Sequence, residues 1–534
     1  MPHDDLQKLL TLAPIRMGIL NQAAAETLQS ENSSVSKHFS FDIEITEEYQ
    51  LVLRLLQKRF PIVFVSGKAG TGKSTLISWL RNMLPCNIAV VAPTGVAALN
   101  VNGATIHSFF CFPPHLIRPE DIKPVFNRRV YKALDLLIVD EVSMVRADLI
   151  DGMDLFLRKN GRHSDLPFGG AQLLLVGDLF QLPPVIEKKE DEILASMDYA
   201  TPYFFSAHAL QECPVAPVEL SRVWRQVNPV FAEMLNAVRE ARNLDVILPL
   251  FNARVEAFLQ AKTNSNHVEH VSEGIVTLTA TNTVADTINL AQLRKLPGKV
   301  VVFRGVLNGK FSVEESRMPS PLELQLKPGA QVMFTKNDEQ RRWVNGSLGV
   351  VRDLSEPNVV RVEMLTDHPG EIHDVSRVQW NSYRYVLNPE NNQIEPAISG
   401  TYTQFPLMLA WAITIHKSQG KTLDRVRIDL GHGAFAPGQV YVALSRCRQL
   451  EHLQLVRPIK PSDVRCDARI VRFYKDCLTI QQRFADGDTA HEVTLPGTNA
   501  FCPHCGAALR QIDGAAGGQV RCTRFPDCDY IIPL

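Results

Sequence analysis

The fold of this chain is decided by the stretch PIVFVSGKAGTGKSTLISWL, Pro61–Leu80. Its apolar beginning predicts a buried strand, and the spacing of apolar residues after the glycines predicts a helix. Gly67, four further residues and then Gly72-Lys73-Ser74 have the spacing of a phosphate-binding P-loop, which lies between a strand and a helix. Glycines let backbone N–H groups turn toward phosphate oxygens, and the helix N-terminus adds a positive field.

We therefore predict a nucleotide site in which Lys73 contacts the β and γ phosphates and Ser74 binds Mg²⁺. The alternative is a glycine-rich turn without a ligand, which the complete motif in its strand–helix context disfavours. The residues expected to bind the nucleotide are Gly67, Gly70, Thr71, Gly72, Lys73, Ser74 and Thr75.

Two further apolar stretches end in acidic residues. In LLIVDEVSM, Asp140 can complete the Mg²⁺ shell and Glu141 can position or deprotonate an attacking water. In GGAQLLLVGDLFQLPPV, Gly169–Val185, the apolar run ends at Asp178 and Gln181 follows. Because ligands of open α/β sheets bind at the carboxyl ends of the strands, we expect Gln181 to sense the γ phosphate.

The composition is that of a soluble protein with several domains. The chain has 534 residues, of which 45% are hydrophobic and 21% charged. The formal net charge is −1, so a nucleic-acid site would have to be a local basic groove. No apolar run reaches membrane-spanning length, and the start MPHDDLQKLLTLAPIR does not resemble a secretory signal or a transit peptide. Six of the ten cysteines are scattered and four lie near the C-terminus, which favours a reducing compartment and one metal site.

Short, almost wholly apolar strands alternate with helices around these motifs. This pattern predicts an α/β fold with parallel sheets covered on both faces. From about 300 to 400 the pattern changes to short strands separated by turn residues, as in GAQVMFTKND and NVVRVEML, which predicts an inserted β module. The α/β character returns with VRIDLG and PGQVYVALSRCR.

The remaining motifs, in chain order, are VVAPTGVAALNVNGATIHSFF, ELSRVWRQ, LAWAITIHKSQGKTLDRV and GQVYVALSRCR. Together with DEVSM and PFGGAQLLLVGDLFQLPPV, they resemble superfamily-1 DNA helicases of the Pif-one/RecD-like type over about 41–460. The resemblance implies two RecA-like domains with ATP between them and 5′-to-3′ translocation on single-stranded DNA. The expected parts are an N-terminal extension (1–40), a first RecA-like domain (41–215), a second one (216–460) with an SH3-like β module, a linker helix (461–495) and a zinc ribbon (496–534).

The resemblance also assigns roles to single residues. Arg225 in VWRQ and Arg446 in ALSRCR would stabilise charge on the γ phosphate from the second domain. Gln50 in TEEYQ matches the glutamine that reads adenine. Trp224 stands where phenylalanine is usual, a departure expected to have no consequence.

DNA contacts are expected from loops at the sheet tops, where small hydroxyls, backbone N–H groups and one lysine suit phosphate groups. The candidates are Thr94, Gly95, Thr105, His107, His416, Lys417 and Ser418. For His107, a core histidine is the competing interpretation. The segment from about 107 to 133, with Arg118, Lys123, Arg128 and Arg129, would be a strand-separating wedge. Phe109, Phe110 and Phe112 could stack bases or form that wedge, and an aromatic core cluster is the competing interpretation.

The C-terminal stretch FCPHCGAALRQIDGAAGGQVRCTRFPDCDY carries Cys502 and Cys505, then Cys522 and Cys528. Four thiolates in this arrangement suit tetrahedral Zn²⁺, whose binding would supply the folding energy of so short a segment. His504 is an alternative ligand, and a disordered tail with stray thiols is the alternative to a metal site. The pattern resembles zinc ribbons of bacterial type IA topoisomerases, with residues suited to single strands: Arg521, Arg524, Phe525 and Tyr530.

These observations predict an ATP-dependent DNA helicase with ATP, Mg²⁺ and Zn²⁺ as cofactors, acting in DNA repair, recombination, replication or telomere maintenance. Its partners would be single-stranded DNA and duplex junctions, without a membrane, and the zinc ribbon could also bind a protein. We expect a monomer that is cytoplasmic and nucleoid-associated if the source is bacterial. Two alternatives stay open: an RNA or RNA:DNA helicase of the same superfamily, and a DNA-stimulated ATPase that remodels complexes without unwinding.

Overall fold

The structure is a computed structural model that describes residues 44–186, 188–226, 228–264, 274–311, 318–431 and 433–485, and three short strands of the C-terminal segment. The expected N-terminal extension, 1–40, lies outside the described residues. All elements below belong to one compact unit, Glu47–Leu534. Among the described helices, none is both long and apolar enough to span a bilayer.

Six parallel strands form the first sheet, and their bounds are β1 Ile62–Gly67, β2 Ile88–Ala92, β3 Ala104–Thr105, β4 Leu136–Val139, β5 Gln172–Gly177 and β6 Val215–Leu220. Their order across the sheet is β3-β2-β4-β5-β1-β6. β1, β4 and β5 are buried along their whole length, which explains why the sequence shows continuous apolar runs there instead of alternation. The predicted α/β fold with a parallel sheet is confirmed.

The helices that accompany this sheet are α1 Glu47–Gln57, α2 Lys73–Met83, α3 Gly95–Asn100, α4 Ile106–Phe110, α5 Arg129–Ala133, α6 Ala147–Asn160, α7 Lys188–Ser196 and α8 His208–Gln211. Apolar residues of α1 and α2 pack against β1 in one buried cluster, which includes Val52, Leu56, Val63, Val65, Leu76 and Leu80. The P-loop is therefore fixed at both ends, by a central strand and by a helix that packs against that strand.

The following part of the chain begins with α9 Pro229–Arg239, α10 Leu244–Asn264, β7 Val276–Thr279 and α11 Asn282–Lys295. An insertion then supplies β8 Val301–Arg304, β9 Val306–Gly309, β10 Glu323–Leu326, β11 Gln331–Phe334, β12 Leu348–Asp353, β13 Val359–Met364, β14 Ile372–Ser376, β15 Val378–Leu387, β16 Ile394–Gln404 and β17 Leu407–Leu409. All pairings within this β module are antiparallel.

A second parallel sheet combines β7, which precedes the insertion in sequence, with strands that follow it. Its later elements are β18 Ala412–Thr414, β19 Val426–Asp429, α12 Gln439–Leu444 and β20 Leu453–Leu455, and α13 Ala468–Ala485 follows. The strand order is β18-β7-β19-β20. In sequence, the insertion therefore separates β7 from β18, which pair side by side in this sheet.

The helix α13 returns to the first sheet and covers the outer edge of β6. The N–H of Glu219 in β6 donates to the side-chain oxygen of Gln481 at 2.8 Å, and Tyr474 donates to the Glu219 carboxylate. Phe473 stacks on Phe205 with ring centroids 4.3 Å apart. The expected boundary at 215 and the expected linker helix thus differ from the structure: β6 completes the first sheet, and α13 packs against it.

The C-terminal segment contains β21 Leu509–Ile512, β22 Gln519–Cys522 and β23 Ile531–Pro533. They form an antiparallel sheet in the order β21-β22-β23.

Candidate nucleotide-binding site and adjoining cleft

The P-loop connects β1 to α2, and side chains from other parts of the chain pack closely against its glycines. Gly70 and Gly72 have φ angles of +85° and +87°, in the left-handed region that favours glycine. A Cβ atom on Gly70 would lie 2.5 Å from the Cβ of Arg225, and one on Gly72 would lie 2.5 Å from the hydroxyl oxygen of Tyr49. The N–H of Trp224 donates to the Gly70 carbonyl oxygen at 2.9 Å. Glycine at these positions keeps the open backbone that a phosphate cradle requires.

The ammonium group of Lys73 lies within this loop. It donates to the carbonyl oxygens of Gly67 at 2.6 Å and Lys68 at 3.0 Å. Burial lowers the pKa of Lys73, and three carboxylates act in the opposite direction: Asp178, Glu141 and Asp140. Lys73 and three carboxylates thus surround the place where phosphates and a divalent cation are expected.

The other predicted nucleotide-binding residues lie around the start of α2. Ser74 and Thr75 are exposed there, whereas Thr71 is buried. Gln50 is exposed on α1, next to Tyr49, whose hydroxyl donates to a P-loop carbonyl oxygen at 2.7 Å. The structure therefore places Gln50 one residue from a side chain that contacts the loop.

Asp140 and Glu141 directly follow β4. Asp140 is 5% exposed, and burial together with the charge of Glu141 raises its pKa to about 7. The N–H of Glu141 donates to Asp140 Oδ1 at 2.9 Å, and Glu141 itself has a φ of +50°. Burial also raises the pKa of Glu141, while Lys73 lowers it. Asp140 is buried and Glu141 is half-buried. Two adjacent acids in such surroundings are costly as anions without a cation, so this pair fits a bound Mg²⁺.

Asp178 at the end of β5 joins the P-loop to α12. Its Oδ1 lies 3.2 Å from Nη2 of Arg239, and both side chains are fully buried. Tyr441 donates its hydroxyl to Asp178 at 3.1 Å and accepts the N–H of Ala69 at 3.1 Å. Burial alone would raise the pKa of Asp178, but Arg239 holds it below its ordinary value. The carboxylate is thus an ionised anchor between the two parallel sheets.

Gln181 and Glu141 share a hydrogen-bond donor, the amide of Gln419, which lies in the turn after β18. Gln181 donates to Asp178 at 3.2 Å. Nε2 of Gln419 donates to Gln181 Oε1 at 3.2 Å and to Glu141 Oε2 at 3.3 Å. The second parallel sheet therefore supplies a group that contacts two of the predicted catalytic side chains.

The two predicted arginines bind backbone groups near this point. Arg446 is 1% exposed, and burial, with the charge of Arg225 next, lowers its pKa to about 9. It donates at 2.8–3.3 Å to three carbonyl oxygens and one hydroxyl, those of Ser418, Lys421, Val442 and Ser445. Arg225 lies 3.5 Å from the carbonyl oxygens of Ser445 and Gly420. The structure therefore brings both guanidinium groups to the turn after β18.

A cleft of about 1190 Å³ is lined by the first sheet's loops, the β module and the turn after β18. Six of the seven predicted DNA-contacting residues line it: Thr94, Gly95, Thr105, His107, His416 and Lys417. Glu141 and Gln419 line it as well. The cleft and the nucleotide site therefore meet at these two side chains.

The seventh candidate, Ser418, is fully buried, and its hydroxyl donates to the carbonyl oxygen of Ile415 at 2.7 Å. The hydroxyl is turned into the protein, which corrects its assignment as a DNA contact. Thr94 and Thr105 cap α3 and α4, accepting backbone N–H groups at 3.2 Å. His107 is half-buried at the cleft wall, and burial lowers its pKa.

The aromatic residues assigned to the wedge are not available for base stacking. Three of them are at most 7% exposed and pack with Phe156 and Tyr131: Phe109, Phe110 and Phe112. For these three rings the competing interpretation, an aromatic core cluster, is the one that the structure shows. The fully exposed aromatic side chain of this segment is Phe126.

The zinc prediction falls largely outside the described residues. Cys502, Cys505 and Cys528 lie outside them, and Cys522 ends β22 with its side chain not described. Across the described ranges, no group of three His, Cys, Asp or Glu residues could bind a metal ion.

Sequence reasoning missed three residues of the site. Gln419 and Tyr441 lie within quoted motifs, IHKSQG and GQVYVALSRCR, so a search of each motif for every polar side chain would have found them. Arg239 lies on α9 with no local sequence signal, because its partner is 61 residues away in sequence.

A family profile and individual known proteins that resemble this chain all belong to one group of helicases. The PIF1-like helicase profile matches residues 44–244. The chain is 34% identical over 445 residues to the ATP-dependent DNA helicase PIF1 of Homo sapiens, covering 81% of this chain and 63% of that protein. It is 31% identical over 446 residues to the ATP-dependent DNA helicase Pif1 of Bdellovibrio bacteriovorus, covering 81% of this chain and 92% of that protein. The chain thus spans less than two thirds of the human relative.

The solved structures that resemble this chain include helicases of the same group. Bacteroides sp Pif1 in complex with ADP-AlF4 matches with a TM-score of 0.73 at 36% identity, covering 84% of this chain and 98% of that one. Bacteroides Pif1 bound to ssDNA matches with a TM-score of 0.57 at 36% identity, covering 81% and 97%. Since sequence and fold agree over most of this chain and nearly all of the bacterial relatives, the chain belongs to the PIF1-like helicase family.

Proposed function

We propose that this chain is an ATP-dependent DNA helicase that moves 5′-to-3′ along single-stranded DNA and unwinds duplexes. One observation carries the proposal: Glu141 and Gln419 belong to the nucleotide site and also line the cleft. A strand in the cleft would therefore touch groups that govern hydrolysis. The names of the relatives, and the ssDNA bound in a Bacteroides structure, support the same activity. DNA repair, recombination, replication and telomere maintenance are the processes in which we place it.

The nucleotide site is proposed to bind ATP through the P-loop and Lys73, with Ser74 and Asp140 as Mg²⁺ ligands and Gln50 against the adenine. A bound magnesium ion neutralises charge on the phosphates. Glu141 would orient the attacking water and accept its proton, and Gln181 would sense the γ phosphate.

Arg225 and Arg446 are proposed to stabilise charge on the transferred phosphoryl group. Their present carbonyl contacts support this, because those of Arg225 are 3.5 Å long and two of those of Arg446 are 3.3 Å long. Contacts of this length are weak and exchange readily for a phosphate oxygen. Both arginines lie against the turn after β18, so closure of the site would move that turn.

The two parallel sheets would be two RecA-like domains, and β8–β17 an SH3-like module over the DNA channel. The six cleft residues would contact phosphates through hydroxyls, backbone N–H groups and one ammonium, without reading sequence. We further propose that 496–534 is a zinc ribbon bound through Cys502, Cys505, Cys522 and Cys528. Its short antiparallel sheet, β21-β22-β23, is compatible with such a fold.

The test is ATP-dependent displacement of a labelled strand from partial duplexes with either a 5′ or a 3′ single-stranded tail. We expect displacement from the 5′-tailed duplex alone, and none with Lys73→Ala, since that variant lacks the cation that contacts the phosphates. DNA-stimulated hydrolysis without displacement on either tail would instead indicate a remodelling ATPase. If a labelled RNA strand is displaced from an RNA:DNA duplex as efficiently as a DNA strand from a DNA duplex, the substrate would extend to RNA:DNA hybrids.

A further inference from the structure

The turn after β18 presents successive side chains to different surroundings. Lys417 is exposed in the cleft, Ser418 is fully buried and Gln419 is half-buried. His416 also lines the cleft. Within three residues the chain therefore passes from predicted DNA contacts to the contacts with Glu141 and Gln181. Gln419 donates from its amide to both of these side chains and also lines the cleft.

The turn is internally rigid. The N–H groups of Lys417 and Ser418 donate to the hydroxyl and carbonyl oxygens of Thr414, at 3.2 and 3.0 Å. The N–H of Gln419 donates to the His416 carbonyl oxygen at 3.1 Å. The Ser418 hydroxyl donates to the Ile415 carbonyl oxygen at 2.7 Å. A force on Lys417 or His416 would therefore displace Gln419 with them instead of being absorbed by bending of the turn.

The amide of Gln419 makes two long hydrogen bonds. One nitrogen donates to both Gln181, at 3.2 Å, and Glu141, at 3.3 Å. Donor–acceptor distances of such hydrogen bonds cluster at about 2.9–3.0 Å and mostly lie below about 3.2 Å, so both contacts are long. A displacement of the turn toward Glu141 and Gln181 would therefore strengthen these contacts, and a displacement away from them would weaken them. Glu141 is also held at a positive φ, a backbone conformation that persists only when its neighbours determine it.

We propose that Gln419 is a positioning residue through which DNA in the cleft controls ATP hydrolysis. DNA bound at His416 and Lys417 sets the position of the turn, and the Gln419 amide transmits that position to Glu141 and Gln181. This inference rests on the proposed function. Because equilibrium coupling between two sites is reciprocal, the same residue also carries the effect of bound nucleotide on DNA affinity.

The test compares the wild type with Gln419→Met, which keeps the side-chain length and removes the amide. The dissociation constant for a fluorescent single-stranded oligonucleotide is measured with and without a non-hydrolysable ATP analogue. We expect the analogue to change that constant in the wild type and to leave it nearly unchanged in the variant. In parallel, we expect the stimulation of kcat by saturating DNA to fall about tenfold, the size of one hydrogen bond to a charged group, with KM for ATP changed much less.

The matched control is Gln379→Met. Gln379 lines the cleft from the β module, and its amide donates to Asn381 at 2.7 Å, away from the nucleotide site. For this control, both the analogue's effect on DNA affinity and the stimulation of kcat should follow the wild type. If Gln419→Met fails to fold, Gln419→Asn, which retracts the amide by one methylene, is expected to show the same losses.

The outcomes separate this inference from the proposed function. A folded Gln419 variant with wild-type coupling and wild-type stimulation would overturn the inference and leave the helicase proposal intact. Equal losses in Gln379→Met would also overturn it, because they would trace the effect to the cleft as a whole. A wild type whose hydrolysis does not respond to DNA would overturn both.

Discussion

The buried pair of Asp178 and Arg239 fixes the carboxyl end of β5 beside the P-loop. The guanidinium carbon of Arg239 lies 4.1 Å from the centroid of the Phe180 ring and 4.9 Å from that of the Tyr474 ring. Neither charge reaches solvent. Such a pair costs desolvation energy, but the loss of one partner costs more, because the other charge is then buried alone.

Arg239→Met is therefore expected to lower the free energy of unfolding by about 3–5 kcal/mol. Urea unfolding followed by circular dichroism measures this as a lower midpoint. Arg242→Met is the control: Arg242 is half-exposed and pairs with Glu240 at 2.7 Å, and exposed pairs contribute about 0–1 kcal/mol. Equal midpoints for the two variants would contradict the argument. Combining Arg239→Met with Asp178→Asn should restore part of the loss, since no unpaired charge remains.

At the scale of elements, the segment between α4 and α5 presents one aromatic residue on an anchored loop. Asn160 accepts the N–H of Val125 at 2.9 Å and donates to the Lys123 carbonyl oxygen at 3.2 Å. Lys159 donates to the Ile122 carbonyl oxygen at 2.7 Å. Phe126 projects from this loop with its side chain fully exposed. An exposed aromatic ring on an anchored loop, among basic residues, is suited to stacking on the last base pair of a duplex.

Phe126→Ala is expected to reduce the number of base pairs opened per ATP hydrolysed by about tenfold, because stacking of a base on an aromatic ring contributes about 1–3 kcal/mol. The measurement combines strand displacement and phosphate release on the same 5′-tailed duplex. Phe435→Ala, which removes another exposed ring at 55% exposure, serves as the control. An unchanged ratio for Phe126→Ala would exclude the loop from strand separation.

The motifs whose residues are neighbours in sequence could be predicted, because backbone spacing alone sets their geometry. The P-loop between β1 and α2, and Asp140 and Glu141 after β4, are of this kind. Contacts between distant residues, such as Tyr441 with Ala69, could not be predicted, since nothing near either residue specifies its partner. The burial of the three wedge phenylalanines and of Ser418 depends on such distant packing as well.

For the whole molecule, α13 is the element that returns the chain to the first sheet after the second sheet is complete. Its removal would uncover the edge of β6 and the rings of Phe64 and Phe205, which contact Phe473. An uncovered strand edge invites pairing with another chain.

A chain ending at Ala485 is therefore expected to be monodisperse and to hydrolyse ATP, whereas one ending at Asp467 should aggregate. Size-exclusion chromatography and phosphate release measure this. Zinc analysis of the first truncation, against the full chain, tests the ribbon: metal should be lost with residues 486–534. A monodisperse, active chain ending at Asp467 would show that α13 is dispensable.

Because α13 covers the edge of β6, the order of synthesis leaves that edge uncovered for a time. The first sheet emerges from the ribosome with β6, but the helix that covers its edge is made only after the β module and the second sheet. At about 5–20 residues per second, this interval is on the order of tens of seconds. During that time a nascent chain displays an uncovered strand edge. Chaperone binding to the nascent chain, and the yield of protein at high expression rates, should therefore depend on how fast the middle of the message is translated.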